Sequence, residues 1–209
     1  MHRNFIASLL VILPAALAAG PHAIGLFENQ TDVGTVQHPG SATFDAAAGQ
    51  YRVTGSGANI WNKEDDFHYL FRKLSGDPTF SANVHFEGTG GDAHRKACLM
   101  VRQSLARDAA YADVAVHGNG LISLQYRKQA GDITQEVQCP IKAPATVRLS
   151  RKGDVFTLAV APKGESFRDV GSATIELHDP VYAGLAVSAH NAAVSETAVF
   201  LNVELQEEK

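Results

Sequence analysis

Met100, Arg102, Gln125 and Arg127 are the side chains in the middle of this sequence best equipped for recognition chemistry. They fall at alternate positions of two short runs, Lys96-Ala97-Cys98-Leu99-Met100-Val101-Arg102 and Leu121-Ile122-Ser123-Leu124-Gln125-Tyr126-Arg127. A strand turns successive side chains to opposite faces. Ala97, Leu99 and Val101 therefore share one face, while Lys96, Cys98, Met100 and Arg102 share the other. Ile122, Leu124 and Tyr126 likewise oppose Ser123, Gln125 and Arg127. Guanidinium groups supply planar bidentate donors, an amide both donates and accepts, and a thioether gives apolar contact. His190, which ends the run 181–189 beside Asn191, would add a hydrogen bond from a neighbouring strand. The alternative is an antiparallel sheet face that simply meets water.

Aromatic groups could complete such a face. Trp61 is the sole tryptophan and follows Gly55-Ser56-Gly57-Ala58-Asn59. It is either a stacking platform or a core anchor, and Tyr69 and Tyr111 are further candidates for apolar contact. Acidic chemistry is sparser. Glu64-Asp65-Asp66 could lend oxygens to calcium together with Asn59 or Asp32, or form a solvated turn before Phe67. Calcium is the one cofactor that this run leaves open. Asp45, Asp113 and Glu136 stand alone. None of the nine histidines are two or four apart, so no local metal motif exists, and no nucleophile elbow, P-loop or dinucleotide fingerprint is present.

These side chains must be carried by strands. Short alternating runs recur at 50–56, 67–72, 79–86, 96–102, 111–116, 121–127, 132–138, 146–151, 155–161, 174–177, 181–189 and 197–205. Turn chemistry separates them, as at His117-Gly118-Asn119-Gly120 and Lys152-Gly153-Asp154. Many short strands with such punctuation predict an all-β sandwich or barrel. At most a single turn of helix fits 104–110. No linker or repeat interrupts the pattern, so 19–209 reads as one domain.

Residues 1–18 read as a cleaved signal peptide. Met1-His2-Arg3 is a short basic start, an apolar run follows from Phe5 to Leu13, and Ala16-Leu17-Ala18 fits a small-residue cleavage site. The apolar run is shorter than the roughly 20 residues of a spanning helix. The expectation is export to a periplasmic or extracellular location, with no membrane insertion after cleavage. Net charge is −4, with 18 basic and 22 acidic side chains. No basic patch points to nucleic acid. In an oxidising compartment Cys98 and Cys139 either close a disulfide or stand as separate thiols.

The sequence resembles the concanavalin A-like lectin/glucanase superfamily, and within it a bacterial group of small exported sandwiches, the DUF1349-like group. Four stretches carry the resemblance: Asp32-Val33-Gly34 with Pro39-Gly40-Ser41; the run from Tyr51 to Trp61 with Asp65-Asp66-Phe67-His68-Tyr69; Lys96-Ala97-Cys98-Leu99-Met100-Val101-Arg102; and Val181-Tyr182-Ala183-Gly184-Leu185-Ala186-Val187-Ser188-Ala189-His190. Two positions depart from the pattern. Cys98 stands where glycine is usual, and Lys163-Gly164-Glu165-Ser166-Phe167 replaces an Asp-Gly turn followed by tryptophan.

The resemblance implies a two-sheet antiparallel jelly-roll sandwich whose concave sheet binds saccharides. The expected function is a non-catalytic module that binds a glycan or other polymer through Met100, Arg102, Gln125, Arg127 and His190. One alternative is a glycoside hydrolase or lyase using Asp66, Asp113 or His190. Against it, the Glu-x-Asp-x-x-Glu run of the glucanase branch does not occur here. Another alternative is an envelope protein that uses the same sheet to bind protein. The oligomeric state is not readable.

Overall fold

A computed structural model describes residues 23–208. The signal segment expected at 1–18 lies outside the described residues. Strands and turns make up the described chain, and no α-helix occurs among those residues. The strands are β1 (Asn29–Val33), β2 (Ser41–Asp45), β3 (Gln50–Gly55), β4 (Ile60–Trp61), β5 (Glu64–Asp65), β6 (Phe67–Leu74), β7 (Asp77–Phe86) and β8 (Lys96–Arg102). They continue as β9 (Tyr111–His117), β10 (Ile122–Arg127), β11 (Gln135–Gln138), β12 (Thr146–Lys152), β13 (Val155–Ala161), β14 (Arg168–Thr174), β15 (Val181–Ser188) and β16 (Glu196–Glu208).

Two seven-stranded sheets form a sandwich. The first runs β1-β6-β15-β8-β9-β10-β11 and the second β14-β13-β12-β7-β16-β3-β2, with every pairing antiparallel. Alternation explains how they face each other. Ala97, Leu99 and Val101 of β8, Val114 and Val116 of β9, and Ile122 and Leu124 of β10 pack against Phe80, Val147, Leu149, Phe156 and Phe200 of the second sheet. Burying each of the larger side chains is worth about 1.5–3 kcal/mol. That inter-sheet layer is the main core.

Several boundaries differ from the sequence reading. The strand expected at 174–177 is Arg168–Thr174 instead. Its ladder with β13 tolerates a bulge between Leu158 and Ala159, and Ile175 leaves the ladder to donate to the Asp154 carbonyl at 2.8 Å. The strand expected from 132 begins at Gln135, because the Thr134 amide donates to the Asn62 carbonyl at 2.8 Å rather than to a sheet neighbour. β1, β2 and the β4–β5 hairpin escape a search for alternation, being short or mixed in polarity.

The hairpin changes the architecture most. It lies with the segment 103–110 over the outer face of the first sheet, the face turned away from the second. A separate buried cluster results, containing Val33, Ile60, Phe67, Tyr69, Cys98, Met100, Tyr111 and Ala186. Two backbone bonds fasten it: Asp65 donates to the Arg107 carbonyl at 2.8 Å and Asp66 to the Asn59 carbonyl at 2.7 Å. Gly57 makes the approach feasible. Its φ is +112°, and a Cβ there would fall onto the Asp66 carbonyl, so only glycine fits.

Cys98 belongs to this outer cluster, whereas Cys139 belongs to the inter-sheet core. Both are free thiols, so the disulfide alternative is corrected.

Candidate functional site

The outer face of the first sheet is ordered in cross-strand rows. One row is Tyr182, Arg102, Tyr111 and Arg127; the next carries Met100, Asp113, Gln125 and Glu136. A third joins Ser188, Lys96 and His117. Alternation thus puts Arg102 and Arg127 on one face, but that end of the face is sealed.

Both arginines are 0 % exposed, as is Asp65. Arg127 holds Asp65 with both terminal nitrogens at 2.8 Å, and Arg102 Nη2 lies 3.6 Å from the same carboxylate. The remaining guanidinium donors go mostly to carbonyls, with Arg102 Nη1 on Met100 Sδ at 3.8 Å and Arg127 Nη2 also 3.3 Å from Thr134 Oγ1. Arg102 donates to Ser104 at 2.6 Å and Ala106 at 2.5 Å. Arg127 donates to Asp132 at 3.0 Å, Ala109 at 3.1 Å and Asn62 at 3.1 Å. Phe67 and Tyr111 lie against the two guanidinium planes, 5.0 and 5.1 Å from ring centre to Cζ. Burial pushes the Asp65 pKa up, while Arg127 and Arg102 oppose that push. These arginines bind the covering strap, formed by the β4–β5 hairpin and the segment 103–110, to the sheet, so the expectation that they meet a ligand is corrected.

Met100 is buried in the same cluster and is corrected with them. Tyr69 and Tyr111 are 0 % exposed and cannot stack on a ligand. The Tyr69 hydroxyl lies 3.0 Å from the Tyr182 carbonyl, and the Tyr111 hydroxyl 3.1 Å from Thr134 Oγ1. The acidic run does not gather into a cation cage. Glu64 and Asp66 both pair with Arg107, at 3.1 and 3.0 Å, Asp65 is committed to the arginines, and Asp32 faces His68 at 2.7 Å. Among the described residues no group of three or more His, Cys, Asp or Glu is arranged to hold a metal ion.

At the other end the strap ends and the face opens into a cleft of about 280 Å³. Its lining comprises Asn59 and Trp61 from the hairpin, Lys96 of β8, His117 of β9, Gln125 of β10, Glu136 and Gln138 of β11, with His94, Leu121 and His190 from loops. Trp61, Gln125 and His190 are thus brought together, although Gln125 shows only its edge at 1 % exposure. The sequence reading offered Asn59 only as a calcium oxygen, and missed His94, Lys96, His117, Glu136 and Gln138 as site residues. Alternation did put Lys96 on the outer face, and register would have aligned Glu136 with Gln125. No local motif marks the histidines.

The cleft floor is tightly bonded. Lys96 Nζ donates to Asn59 Oδ1 at 2.6 Å and to the Ile60 carbonyl at 2.8 Å, and lies 5.2 Å from the Trp61 ring centre. Glu136 accepts from Gln125 at 3.1 Å and from Gln138 at 2.8 Å. Burial pushes its carboxyl up, but bonds from Gln138, Gln125 and Ser123 outweigh that and hold its pKa below the ordinary value. Burial drives His117 down to about 4, helped by the charges of Lys96, His94 and His190.

Asp113 sits beneath the cleft, fully buried, and neither carboxyl oxygen meets an N–H or O–H donor; the weakly donating Cys98 thiol is its neighbour. Burial pushes its pKa up to about 8 against the pull of Lys96, with Asp65 and Glu136 adding to the rise. The folded state therefore holds a proton that the unfolded chain releases near pH 4. A raised carboxyl pKa makes stability fall as pH climbs between those values. Asp113→Asn removes that loss. The difference between the variant's melting temperature and the parent's should shift in the variant's favour from about pH 5 to about pH 8. A difference independent of pH would contradict the assignment.

No family model and no curated protein sequence matches the chain. Solved structures do. A functionally unknown protein from Saccharomyces cerevisiae superposes with a TM-score of 0.64 at 14% identity, covering 86% of this chain and 97% of that one. Carbohydrate binding module CBM66 from Bacillus subtilis gives 0.55 at 18% identity, covering 87% and 98%. A Bacillus licheniformis beta-glucanase gives 0.52 at 11% identity, covering 86% and 92%. The chain has the antiparallel jelly-roll sandwich of the concanavalin A-like type, as the resemblance implied.

Proposed function

We propose that the chain is an exported, non-catalytic module that recognises a glycan in the cleft bordered by Trp61. The carrying observation is the composition of that cleft. Amides, a carboxylate and imidazoles converge beside one partly exposed indole, on a face that is otherwise covered. Sugars present hydroxyls around an apolar C–H face, and such a lining matches both. The volume lies just below the roughly 300–1,000 Å³ of small-molecule sites, which suits a single sugar unit. The fold shared with a carbohydrate binding module supports the same reading. Export rests on the basic, apolar and small-residue order of 1–18.

The fold shared with a glucanase raises hydrolysis as the rival. Glu136 is the only carboxylate lining the cleft, among the described residues. Both retaining and inverting glycosidases use a pair of carboxyl groups flanking the scissile bond. Asp66 is paired with Arg107, and Asp113 is sealed below the floor. Recognition without cleavage fits this inventory better.

A glycan array probed with the mature chain, with and without chelator, tests the proposal. Retention of a defined set of glycans, unchanged in length after incubation, is the expected result. Release of shortened products would favour the hydrolase. An empty array beside a pull-down that recovers one envelope protein would favour a protein-binding role.

A further inference from the structure

We infer that the sugar taken by the cleft is acidic, a uronic acid residue whose carboxylate is held by Lys96 and the surrounding histidines. This deepens the glycan-recognition reading and rests on it.

The argument is an inventory of unused hydrogen-bonding capacity. Lys96 spends two of its three N–H groups on Asn59 Oδ1 and the Ile60 carbonyl, leaving one donor. Asn59 Oδ1 also accepts from the Ile60 amide at 2.9 Å, so the free part of its side chain is the donor NH₂. Each Glu136 oxygen already accepts one bond, from Gln125 and from Gln138. His117 Nδ1 and His190 Nδ1 are buried without partners. The His94 ring bridges these two imidazoles, with centroids 6.2 Å from His117 and 5.5 Å from His190. Trp61 adds an N–H that can only donate. Gln125 Oε1 is the one buried acceptor left unpartnered among the lining side chains, and Gln138 Oε1 is a second free acceptor at the exposed rim.

Hydroxyls need acceptors as well as donors, whereas an ionised carboxylate only accepts. The spare donors of Lys96, Asn59 and Trp61 gather at one end of the cleft, and that end is better matched by the latter. Position agrees. Lys96 Nζ lies 5.2 Å from the centre of the Trp61 ring, so a sugar packed against the indole edge has its exocyclic group beside the ammonium.

Charge gives the pH dependence its sign. Lys96, His94 and His190 face His117, and Glu136 opposes them across the cleft. Asp92 faces His190 from the rim, while Asp65 and Asp113 lie beneath Lys96. Burial depresses His117, His190 and Lys96 alike. An anion among them stabilises their protonated forms, so binding takes up protons and strengthens as pH falls. A uronate is still ionised at about pH 5.5.

The experiment is calorimetric titration with oligomers of galacturonate, glucuronate and mannuronate, each beside its methyl ester. The ester keeps the shape and removes the charge. At about pH 5.5, at least one acid should bind about tenfold or more tighter than its ester. The preference should shrink towards about pH 7.5, with net proton uptake visible in buffers of different ionisation heat. His94 is exposed, so His94→Ala should fold normally and reduce the acid-to-ester ratio about threefold or more. Equal binding of acid and ester, a preference independent of pH, or an array that yields only neutral or sulfated glycans would overturn the acidic-sugar inference and leave the recognition reading standing. Binding to no glycan of any charge would overturn both.

Discussion

Replacing Asp65 with asparagine is expected to remove about 3–5 kcal/mol of stability, the usual cost of deleting one partner of a buried ion pair. For a domain of this size that lowers the melting temperature by roughly 10 °C. The reason is local. Asp65 is the only carboxylate within salt-bridge distance of Arg102 and Arg127, among the described residues, and all three side chains are 0 % exposed. Without its charge, two guanidiniums are left in a dry cluster with only uncharged carbonyl, hydroxyl and thioether partners. Thermal and urea unfolding measure the loss. Asp66→Asn is the control, because Asp66 pairs with half-exposed Arg107, and such pairs contribute about 1 kcal/mol or less. A melting temperature within a degree or two of the parent for Asp65→Asn would mean that the strap is not held by this pair. Read as ligand contacts, the arginines would predict that Arg102→Ala with Arg127→Ala abolishes retention on a polysaccharide and spares the fold. Their burial reverses that expectation, and the fold is what the double variant should lose.

Trp61→Ala should weaken binding of any glycan found on the array by about 30-fold or more, equivalent to at least about 2 kcal/mol. Trp61 is half-buried in the cleft wall, and its own carbonyl, not its ring, faces Arg127 at 3.5 Å. The strap therefore keeps its fastenings when the ring is removed. Calorimetry gives the affinity, and a melting temperature near that of the parent shows that the loss arises at the binding surface. Undiminished affinity would place the ligand elsewhere.

The sequence made the scaffold readable and hid the lid. Alternation in Ala97-Cys98-Leu99-Met100-Val101 marks the two faces of β8 because each strand reports its own periodicity. The glycines of His117-Gly118-Asn119-Gly120 mark a reversal for the same local reason. A covering hairpin has no such signature. Ile60–Trp61 and Glu64–Asp65 are two residues each, too short for any period. What settles their place is a contact across 62 positions, between Asp65 and Arg127. Two arginines on the same face of strands that flank β9 do ask for a counter-ion, and Glu64-Asp65-Asp66 is the run that could supply it. The cleft was legible only in part. Lys96 and Gln125 were put on the outer face by alternation, and Trp61 by its chemistry. His94 and His190 come from loops and His117 from a strand end, and only the folded register brings their rings together.

Backbone amide shifts recorded during titration with an array-identified glycan test the central claim most directly. Perturbations should concentrate at 59–61, 94–96, 117–121, 125, 136–138 and 190. Shifts confined to the outer face of the second sheet, or to the edge strands β2 and β14, would contradict the assignment of the cleft.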